Sequence, residues 1–528
     1  MFKVLVADPL AEQGIEILKN EQEISVDVKI KMSPKDLISC IAEYDVLLVR
    51  SETKVTEEII TAGKKLKIIG RAGVGLDNVN LNFATKHGII VMNTPDGNTI
   101  SAAEHTLSML LALSRNIPQA DASLRAKQWN RKQFTGVELY GKILGIIGMG
   151  RIGREVAKRA LGFKMRIVAY DPFLSPEEAH KLEVELVDDM SELLRKSDYL
   201  TFHTPLTSET KHLIGENEIA MMKKNMRIIN CARGGIVDES ALEKALKTGK
   251  IAGAALDVFE KEPPFESALL DLPNVIVTPH LGASTEEAQI NVSIAIAHQV
   301  IDALKNKVVR NAANVPAVEP ETLKKIQPYL TLCEKLGGLI SQLIEGHLLQ
   351  IEVEYSGQIT DYNLSPMTVS LIKGLLEPIS SEVINYVNAP IFAKERGIKL
   401  IESKSTDTKD FVNLITVRAK TDKMEKQISG SIFGKMNLRI VNIDGYEMDV
   451  ELFPHILVLS NIDKPGVVGN VGSMLGQCNI NIAGLQMGRK VEGGNAITVL
   501  TIDTAVTSEI IDKLKKLENI IDVKYIKL

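Results

Sequence analysis

A glycine-rich segment near residue 150, Gly148-Met149-Gly150-Arg151-Ile152-Gly153, constrains the fold more than any other feature of the chain. The apolar stretch ILGIIG comes before it, and the helical pattern RIGREVAKRAL overlaps and follows it. A strand, a glycine turn and a helix in this order form the phosphate-binding corner of a parallel sheet. Gly148 allows the turn, Gly150 admits a pyrophosphate close to the backbone, and Gly153 lets the helix pack on the strand. The segment predicts a dinucleotide site.

An acidic residue at the end of the next apolar stretch indicates which dinucleotide binds. Asp171 follows MRIVAY, at about the 20-residue distance at which such sites place a carboxylate. That carboxylate can accept hydrogen bonds from the hydroxyl groups of the adenosine ribose, and its charge would repel a 2′-phosphate. The sequence therefore favours NAD over NADP.

Apolar stretches of strand length alternate with helical stretches along the first 310 residues. Four lie before residue 95 (KVLVAD, DVLLVR, LKIIGRAG and GIIVMN), and six follow Lys142 (KILGIIGMG, MRIVAYD, YLTFHTPL, MRIINCA, IAGAALDV and NVIVTPH). This alternation predicts two α/β domains with parallel sheets. The run SAAEHTLSMLLALSRNIPQADASLRA between them is too apolar for a solvent-facing helix. It is either an interior helix or a helix that packs on a second subunit.

Three polar residues follow later predicted strands of the second series. Arg233 follows MRIINCA, Glu262 stands in DVFEKEP, and His280 ends NVIVTP. Ligands bind at the carboxyl ends of strands in such sheets, so we expect these side chains at the edge of the cofactor site. A histidine beside a carboxylate can take a hydroxyl proton, and an arginine can hold a substrate carboxylate. The set predicts hydride removal from a hydroxy acid.

Composition and charge exclude several classes of partner. A net charge of −5 leaves no basic excess to neutralise phosphates, which argues against nucleic acid. The four cysteines are scattered and predict reduced thiols with no metal site. The start of the chain lacks a signal-peptide pattern, and no apolar run approaches the roughly 20 residues of a membrane helix. We expect a soluble, cytoplasmic protein without a membrane partner.

Four segments, GKILGIIGMGRIG, MRIINCARGGIVDESAL, ALDVFEKEPP and NVIVTPHLGAST, together resemble the D-2-hydroxyacid dehydrogenase family. The resemblance runs from residue 1 to about 310. It implies NAD as cofactor and Arg233, Glu262 and His280 as the catalytic set, with His280 as acid and base. The further cofactor contacts that it implies are Val74, Thr204, Cys231, Ala232 and Asp257.

Two arginines that follow early predicted strands bear on the substrate. Arg50 lies in LLVRSETKV and Arg71 in IIGRAGVGLDNV, and each suits either a phosphate in a cleft or a surface salt bridge. The pairing resembles the phosphoglycerate dehydrogenase branch of the family. That branch implies oxidation of D-3-phosphoglycerate to 3-phosphohydroxypyruvate, the first step of L-serine biosynthesis. It also implies Asn98 as a substrate contact, and Arg131 as a contact from the neighbouring subunit of a homodimer or homotetramer.

The end of the chain has its own pattern. From Leu452 the order strand, helix, strand, strand, helix, strand predicts a ferredoxin-like module. The module resembles the ACT domain, which implies L-serine as effector at Asn461, Asp463 and Asn481; alternatively these are ordinary turn and cap residues. Residues 318–450 resemble the intervening domain of long phosphoglycerate dehydrogenases, a second allosteric region for which the sequence indicates no ligand.

Together these inferences predict an α/β chain of four domains. The first two are doubly wound and Rossmann-like: a substrate-binding domain over 1–97 and 284–315, and an NAD-binding domain over 98–283. An α+β intervening domain over 318–450 and a βαββαβ ACT domain over 452–528 follow. Two other functions stay open. A glyoxylate or hydroxypyruvate reductase of the family would not need the paired arginines, and an NAD-sensing corepressor would need a partner-binding surface instead of a phosphate pocket.

Overall fold

Four β-sheets of five, seven, six and four strands follow one another along the protein. The computed structural model describes residues 1–306, 309–316, 318–434 and 436–528. Within them, no helix has the length and apolar character needed to cross a membrane. Short 3₁₀ turns and one π-helical turn join the regular elements at Ile41–Glu43, Arg131–Phe134, Ala268–Asp271, Asp302–Asn306, Gln358–Asp361 and Glu377–Ile379.

The first sheet is parallel and has one strand more than the four expected. Its elements are β1 (Phe2–Val6), α1 (Glu12–Lys19), β2 (Ile24–Val28), α2 (Pro34–Cys40), β3 (Val46–Val49), α3 (Glu57–Ala62), β4 (Ile68–Arg71), α4 (Leu81–Lys86) and β5 (Ile90–Asn93). The strand order is β2-β1-β3-β4-β5. The additional strand is β2, which lies at the sheet edge and is mostly half-buried or exposed. It therefore lacks the continuous apolar run of a strand that is covered on both faces.

The second sheet is also parallel, in the order β12-β11-β10-β9-β6-β7-β8. Its elements are α5 (Thr99–Arg115), α6 (Ile117–Arg125), β6 (Ile143–Ile147), α7 (Arg151–Gly162), β7 (Arg166–Tyr170), α8 (Pro176–Lys181), β8 (Glu185–Leu186), α9 (Met190–Lys196), β9 (Tyr199–Phe202), α10 (Glu216–Met221), β10 (Arg227–Asn230), α11 (Glu239–Lys247), β11 (Gly253–Leu256) and β12 (Val275–Val277). All six expected strands are present, and the seventh is the two-residue edge strand β8. The order reverses between β6 and β9, which opens a crevice at their carboxyl ends.

The apolar helix after the first sheet is an interior helix. On α5, Leu107 and Leu110 are buried and pack with Leu144 and Ile146 of β6. The next helix, α6, has no buried residue. Of the two alternatives for this run, burial inside one domain therefore holds for α5, and α6 remains on the surface of the single chain.

A long helix, α12 (Glu286–Ile301), returns from the second sheet to the first. Its residues Val292 and Ile296 are buried with Val4 and Val6 of β1 and Leu48 of β3. The chain therefore passes between the two sheets twice, once before α5 and once before α12. The first passage lies against α12, because a Cβ added to Gly97 would lie 2.4 Å from Val292 Cγ1.

The third sheet is mixed and belongs to the segment for which the sequence showed no catalytic motif. Its elements are α13 (Pro320–Leu343), β13 (Leu348–Gly357), α14 (Ser365–Leu376), α15 (Ala389–Glu395), β14 (Lys399–Ser405), β15 (Asn413–Thr421), β16 (Glu425–Phe433), β17 (Asn437–Ile443) and β18 (Tyr446–Glu451). The order is β14-β13-β15-β16-β17-β18. The β13–β14 pair is parallel and the other pairs are antiparallel.

The last sheet is antiparallel and has the predicted ferredoxin-like connections. Its elements are β19 (His455–Ile462), α16 (Val467–Gln477), β20 (Ile482–Arg489), β21 (Asn495–Ile502), α17 (Ser508–Lys515) and β22 (Ile520–Lys527), in the order β20-β21-β19-β22. Alternate residues of a strand face opposite sides of its sheet. Leu457 and Leu459 pack with α16 and α17, whereas Ile456 and Val458 join the core that contains Leu336 of α13. The third and fourth sheets thus share one core, and the predicted fold class is confirmed.

Candidate active site

A cleft lies between the first two sheets, at the carboxyl ends of their strands. One wall carries the residues that follow β3 and β4, and the other carries the loops after β6, β9, β10, β11 and β12. The lining residues that the sequence predicts are Arg50, Arg71, Val74, Asn98, Arg151, Ile152, Thr204, Cys231, Ala232, Arg233, Asp257, Glu262 and His280. The structure thus brings together, at one site, residues that are more than 200 positions apart in the sequence.

The glycine turn after β6 has the geometry of a phosphate-binding corner. Gly148 has φ of 93°, a left-handed conformation that favours glycine. A Cβ on Gly153 would lie 2.2 Å from the carbonyl oxygen of Gly148, so only glycine lets α7 start this close to the turn. A Cβ on Gly150 would meet nothing within 4 Å. The first N–H groups of α7 are therefore open to an anion.

Asp171, which follows β7, is tied to the same turn. Its Oδ2 accepts a hydrogen bond from the backbone N–H of Met149 at 2.7 Å, and its Oδ1 accepts one from Phe173 at 2.8 Å. The carboxylate lines a shallow hollow together with Gly150 and Arg151. Its orientation is fixed by these two backbone N–H groups, beside the glycine turn.

Unpartnered polar atoms in the cleft test whether its residues fit NAD. Within the described chain, Oγ1 of Thr204 and Oδ1 of Asn98 are buried without a hydrogen-bond partner. Such atoms are costly to leave alone, and a bound ligand with hydroxyl and amide groups can satisfy them. Burial raises the pKa of the Cys231 thiol, which remains neutral and presents a small apolar surface. A glycine turn at one end and these groups along the slot fit NAD.

His280 and Glu262 form a hydrogen-bonded pair at the mouth of the cleft. Nδ1 of His280 lies 2.9 Å from Oε2 of Glu262. A carboxylate can only accept here, so Nδ1 carries the proton and Nε2 is left free to exchange one with a ligand. The hydrogen bond from Glu262 raises the pKa of His280 above its usual 6.5. Burial would raise the pKa of Glu262, but the contact with His280 outweighs it and the pKa is lowered.

A second histidine, His203, also lines the cleft but differs in its charge state. It follows β9, and its Nε2 lies 3.3 Å from Oγ1 of Thr201. Burial lowers the pKa of His203 to about 3, so its imidazole is neutral at physiological pH. Of these two histidines, only His280 is suited to exchange a proton near neutrality.

Three arginines line the cleft, with Arg50 and Arg71 on one wall and Arg233 on the other. Burial first, and then the charge of Arg233, lowers the pKa of Arg71 to about 10, which still leaves it protonated at neutral pH. Nε of Arg71 is buried and has no partner in the described chain. On the opposite wall, Nε of Arg233 lies 3.2 Å from Oδ2 of Asp77, which is two-thirds exposed. The unpartnered Nε of Arg71 suits an anionic ligand.

The backbone of Arg50 is held in position by a buried carboxylate. Oδ2 of Asp8, which follows β1, accepts hydrogen bonds from the backbone N–H of Arg50 at 2.6 Å and of Thr53 at 3.1 Å. The side-chain amide of Asn78 donates to the carbonyl oxygens of the same two residues, at 2.6 Å each. The loop after β3 is thereby held in one conformation beside Glu262 and His280.

The other predicted site residues lie away from this cleft. Arg131 is exposed on a 3₁₀ turn and does not line the cleft of its own chain. Asn461 is fully buried, and its Oδ1 accepts a hydrogen bond from Thr498. Asp463 pairs with Arg489 at 2.8 Å, and Asn481 donates to Asp503 at 2.6 Å. Within one chain, Asn461, Asp463 and Asn481 therefore contact protein groups rather than a common pocket.

Some residues of the site were not predicted from the sequence. Asp8 and His203 each follow a buried strand, as the predicted residues do, and this position could have identified them. Asp77 lies in the loop GRAGVGLDN, where nothing in the pattern distinguishes it from a solvated turn residue. Its significance comes only from the folded chain, in which it faces Arg233.

Family models match three consecutive parts of the chain. Residues 107–282 match the NAD binding domain of the D-isomer specific 2-hydroxyacid dehydrogenases. Residues 325–444 match the D-3-phosphoglycerate dehydrogenase intervening domain, and residues 455–519 match the ACT domain. The order of these matches agrees with the second, third and fourth sheets.

Full-length relatives and solved structures agree with these matches. D-3-phosphoglycerate dehydrogenases of Methanocaldococcus jannaschii and Bacillus subtilis are 47% and 44% identical, each over 100% of both chains. A Thermus thermophilus protein of known structure has a TM-score of 0.55 and 34% identity over 59% of this chain and all of its own. D-lactate dehydrogenase from Aquifex aeolicus, complexed with NAD and lactic acid, has a TM-score of 0.53 and 28% identity over 60% of this chain and all of its own. The chain therefore belongs to the D-3-phosphoglycerate dehydrogenases, within the NAD-dependent D-isomer-specific 2-hydroxyacid dehydrogenase family.

Proposed function

We propose that this enzyme oxidises D-3-phosphoglycerate to 3-phosphohydroxypyruvate, the first step of L-serine biosynthesis. The observation that carries the proposal is the buried, unpartnered Nε of Arg71 in the same cleft as the His280–Glu262 pair. The pair supplies proton exchange with a hydroxyl group, and the guanidinium supplies charge for a phosphate at the other end of a short substrate.

The proposed mechanism assigns each end of the substrate to a different wall. Arg233 holds the carboxylate and draws electron density from the reacting carbon–oxygen bond, while Arg71 and Arg50 hold the phosphate. Nε2 of His280 takes the hydroxyl proton, and Glu262 stabilises the imidazolium that results. Asn98 contributes a further polar contact to the substrate. When bound, NAD supplies the acceptor for the hydride.

The cofactor contacts proposed for this chain divide between the two ends of the dinucleotide. Gly148, Gly150, Arg151, Ile152 and Gly153 hold the pyrophosphate, and Asp171 holds the adenosine ribose. The remaining contacts face the nicotinamide half, and they are Val74, Thr204, Cys231, Ala232 and Asp257.

Closure of the cleft is expected to follow from the domain arrangement that we propose. The ranges are 1–97 with 284–315, 98–283, 318–450 and 452–528; residues 307, 308 and 435 within them lie outside the described chain. Hinges near residues 97 and 284 would let the first two domains close on the ligands and exclude water.

A homo-oligomer is part of the same proposal. Large apolar side chains are exposed around α5 and α6, and they are Ile100, Ile117, Leu124, Trp129 and Tyr140. An exposed apolar surface of this kind is typical of a subunit contact. Because Arg131 lies on the next turn, a partner docked on this surface could place its own copy of that arginine at the neighbouring substrate site.

Feedback by L-serine through the ACT domain completes the proposal. Gly466, with φ of 94°, forms the turn into α16 and leaves backbone N–H groups that suit a carboxylate. Asp463 at the same turn could exchange its partner Arg489 for an ammonium group. Asn461 and Asn481 would supply further polar contacts to the effector. The site would be completed by a second subunit.

The test compares NADH oxidation with 3-phosphohydroxypyruvate, glyoxylate and unphosphorylated hydroxypyruvate, each with and without L-serine. We expect the highest kcat/KM with the phosphorylated substrate, and its suppression by serine. Equal or higher activity with glyoxylate or hydroxypyruvate would replace the proposal by a reductase of the same family. NADH binding without turnover of any of the three would favour a sensor. Phosphate preference without a serine effect would leave the ACT domain with another effector.

A further inference from the structure

A histidine of α5 that no motif singles out contacts the structure behind the cleft. His105 is mostly buried, and its Nε2 lies 3.2 Å from Oδ1 of Asp257 and 3.2 Å from Oγ1 of Thr278. Asp257 follows β11 and Thr278 follows β12, so His105 connects the helix to two neighbouring strand ends. The end of β12 leads into the turn of residues 278–282, which carries His280.

The carboxylate of Asp257 is the centre of this arrangement and is fully buried. Its Oδ1 accepts hydrogen bonds from Oγ1 of Thr278 at 2.6 Å and from the N–H of Leu281 at 2.7 Å. Its Oδ2 accepts one from the N–H of Gly282 at 2.8 Å. Burial alone would raise the pKa of Asp257, but His105 and these donors keep it below its usual value. A charged carboxylate therefore holds the turn by its backbone.

The turn needs such support because its central residue has an unfavourable conformation. His280 has φ of 57°, in the left-handed region that non-glycine residues rarely adopt. Its N–H donates to the carbonyl oxygen of Asp257 at 2.9 Å. Oγ of Ser101, one turn before His105 on α5, donates to the carbonyl oxygen of Gly282 at 2.8 Å. Strained conformations persist only where the surroundings determine them strongly.

We propose that His105 is a positioning residue: by holding the Asp257 carboxylate, it fixes the turn in which His280 meets Glu262. It touches neither substrate nor reacting atoms in this role. The inference extends the proposed function, because it presupposes that His280 exchanges the proton. A merely structural role for His105 would lower the stability of the whole domain but would leave the His280–Glu262 pair unchanged in the molecules that remain folded.

The first test is made on the enzyme without cofactor or substrate. Diethyl pyrocarbonate reacts with neutral imidazole, so the labelling of His280 against pH, followed by peptide mass spectrometry, gives the midpoint of its titration. His280 is half exposed and accessible to the reagent. In the native chain we expect a midpoint above 6.5, because Glu262 raises the pKa of His280. In His105→Leu the midpoint should fall towards 6.5, and in His105→Gln, which retains an N–H donor, it should stay.

The second test measures turnover with whichever 2-hydroxy acid the native enzyme oxidises best. His105→Leu should lower kcat about 10- to 100-fold, the effect of losing one hydrogen bond to a charged group. His105→Gln should recover most of it. Because labelling needs no substrate, failure of the proposed substrate would not affect the first test.

An unchanged midpoint together with near-native kcat in folded His105→Leu would overturn the inference. Equal losses in the Leu and Gln variants would also overturn it, since a retained donor would then have no effect. If His105→Leu does not fold, Thr278→Val and Ser101→Ala each remove one contact of the same arrangement with little change in volume. They should shift the labelling midpoint in the same direction, and native midpoints in both would reject the role.

Discussion

Nδ1 of His280 donates a hydrogen bond to Oε2 of Glu262 at 2.9 Å, and the other oxygen of that carboxylate accepts the backbone N–H of Phe259 at 3.2 Å. Glu262 is therefore fixed by its own loop before it meets the imidazole. This arrangement determines both the tautomer of His280 and the direction in which its pKa moves. It follows that the pH dependence of the reaction should report the contact directly.

The two directions of the reaction should have opposite pH dependence. Oxidation needs neutral His280, so its kcat/KM should rise with pH through a midpoint above 6.5, because the pKa of His280 is raised. Reduction needs the protonated form and should fall through the same midpoint. In Glu262→Gln the midpoint should move down towards 6.5. Profiles that coincide for the native and Glu262→Gln enzymes would show that Glu262 does not set this pKa.

Removal of the His280 imidazole should lower the rate of the reaction without weakening the binding of the cofactor. His280→Ala should lower kcat by about 10²–10⁴, the usual contribution of a general acid or base. The Kd for NADH, measured by fluorescence titration, should stay within a few-fold of the native value, because the glycine turn is untouched. A kcat close to native would remove His280 from the reaction.

Arg71 should favour the phosphorylated substrate over the unphosphorylated one. Arg71→Met should raise KM for phosphoglycerate about 10- to 100-fold, the scale of a lost charged hydrogen bond, and change KM for unphosphorylated glycerate much less. Arg195→Met, an exposed arginine on α9, is the matched control. Arg50→Met should act in the same direction. Similar losses on both substrates would argue against a phosphate site.

Neutralising the carboxylate after β7 should relax the preference for NAD. Asp171→Asn keeps one oxygen that can accept the N–H of Met149 and gives up the bond from Phe173, so the contact with the glycine turn is retained while the charge is lost. We expect the ratio of kcat/KM values for NAD and NADP to fall about tenfold, since a single charge contact of roughly 1–2 kcal/mol is removed. Steady-state assays with both cofactors measure the ratio. If the ratio does not change, repulsion by Asp171 is not what excludes NADP.

The exposed apolar surface around α6 should hold subunits together. Leu124 is 58% exposed in the single chain, and Leu124→Glu would place a charge within a subunit contact. Sedimentation velocity should then show a smaller species than for the native protein. Val383→Glu, at an apolar residue of the third domain that is 86% exposed, is the control and should leave the oligomer intact. An undisturbed oligomer in Leu124→Glu would place the interface elsewhere.

The sequence predicted what depends on local pattern and on strand ends. Buried parallel strands are continuous apolar runs, and Arg233, Glu262 and His280 were predicted because each follows one. The edge strands β2 and β8 were missed because partial exposure interrupts that run. His105 was missed for a different reason: on the apolar helix α5 it reads as a core residue, and its partner Asp257 lies 152 positions further along the chain. Contacts between residues so far apart in the sequence leave no local sequence pattern.

The core that α13 shares with the last sheet determines where this chain can be shortened without exposing apolar residues. Family models divide the C-terminal half at about residue 450, where two transferable modules would be expected to separate cleanly. In this chain, ending the polypeptide there would remove Ile456, Val458 and Ile526 from the shared core, and we expect the shortened enzyme to aggregate. The two modules that the family models separate therefore form one packing unit in this chain, because they share a core.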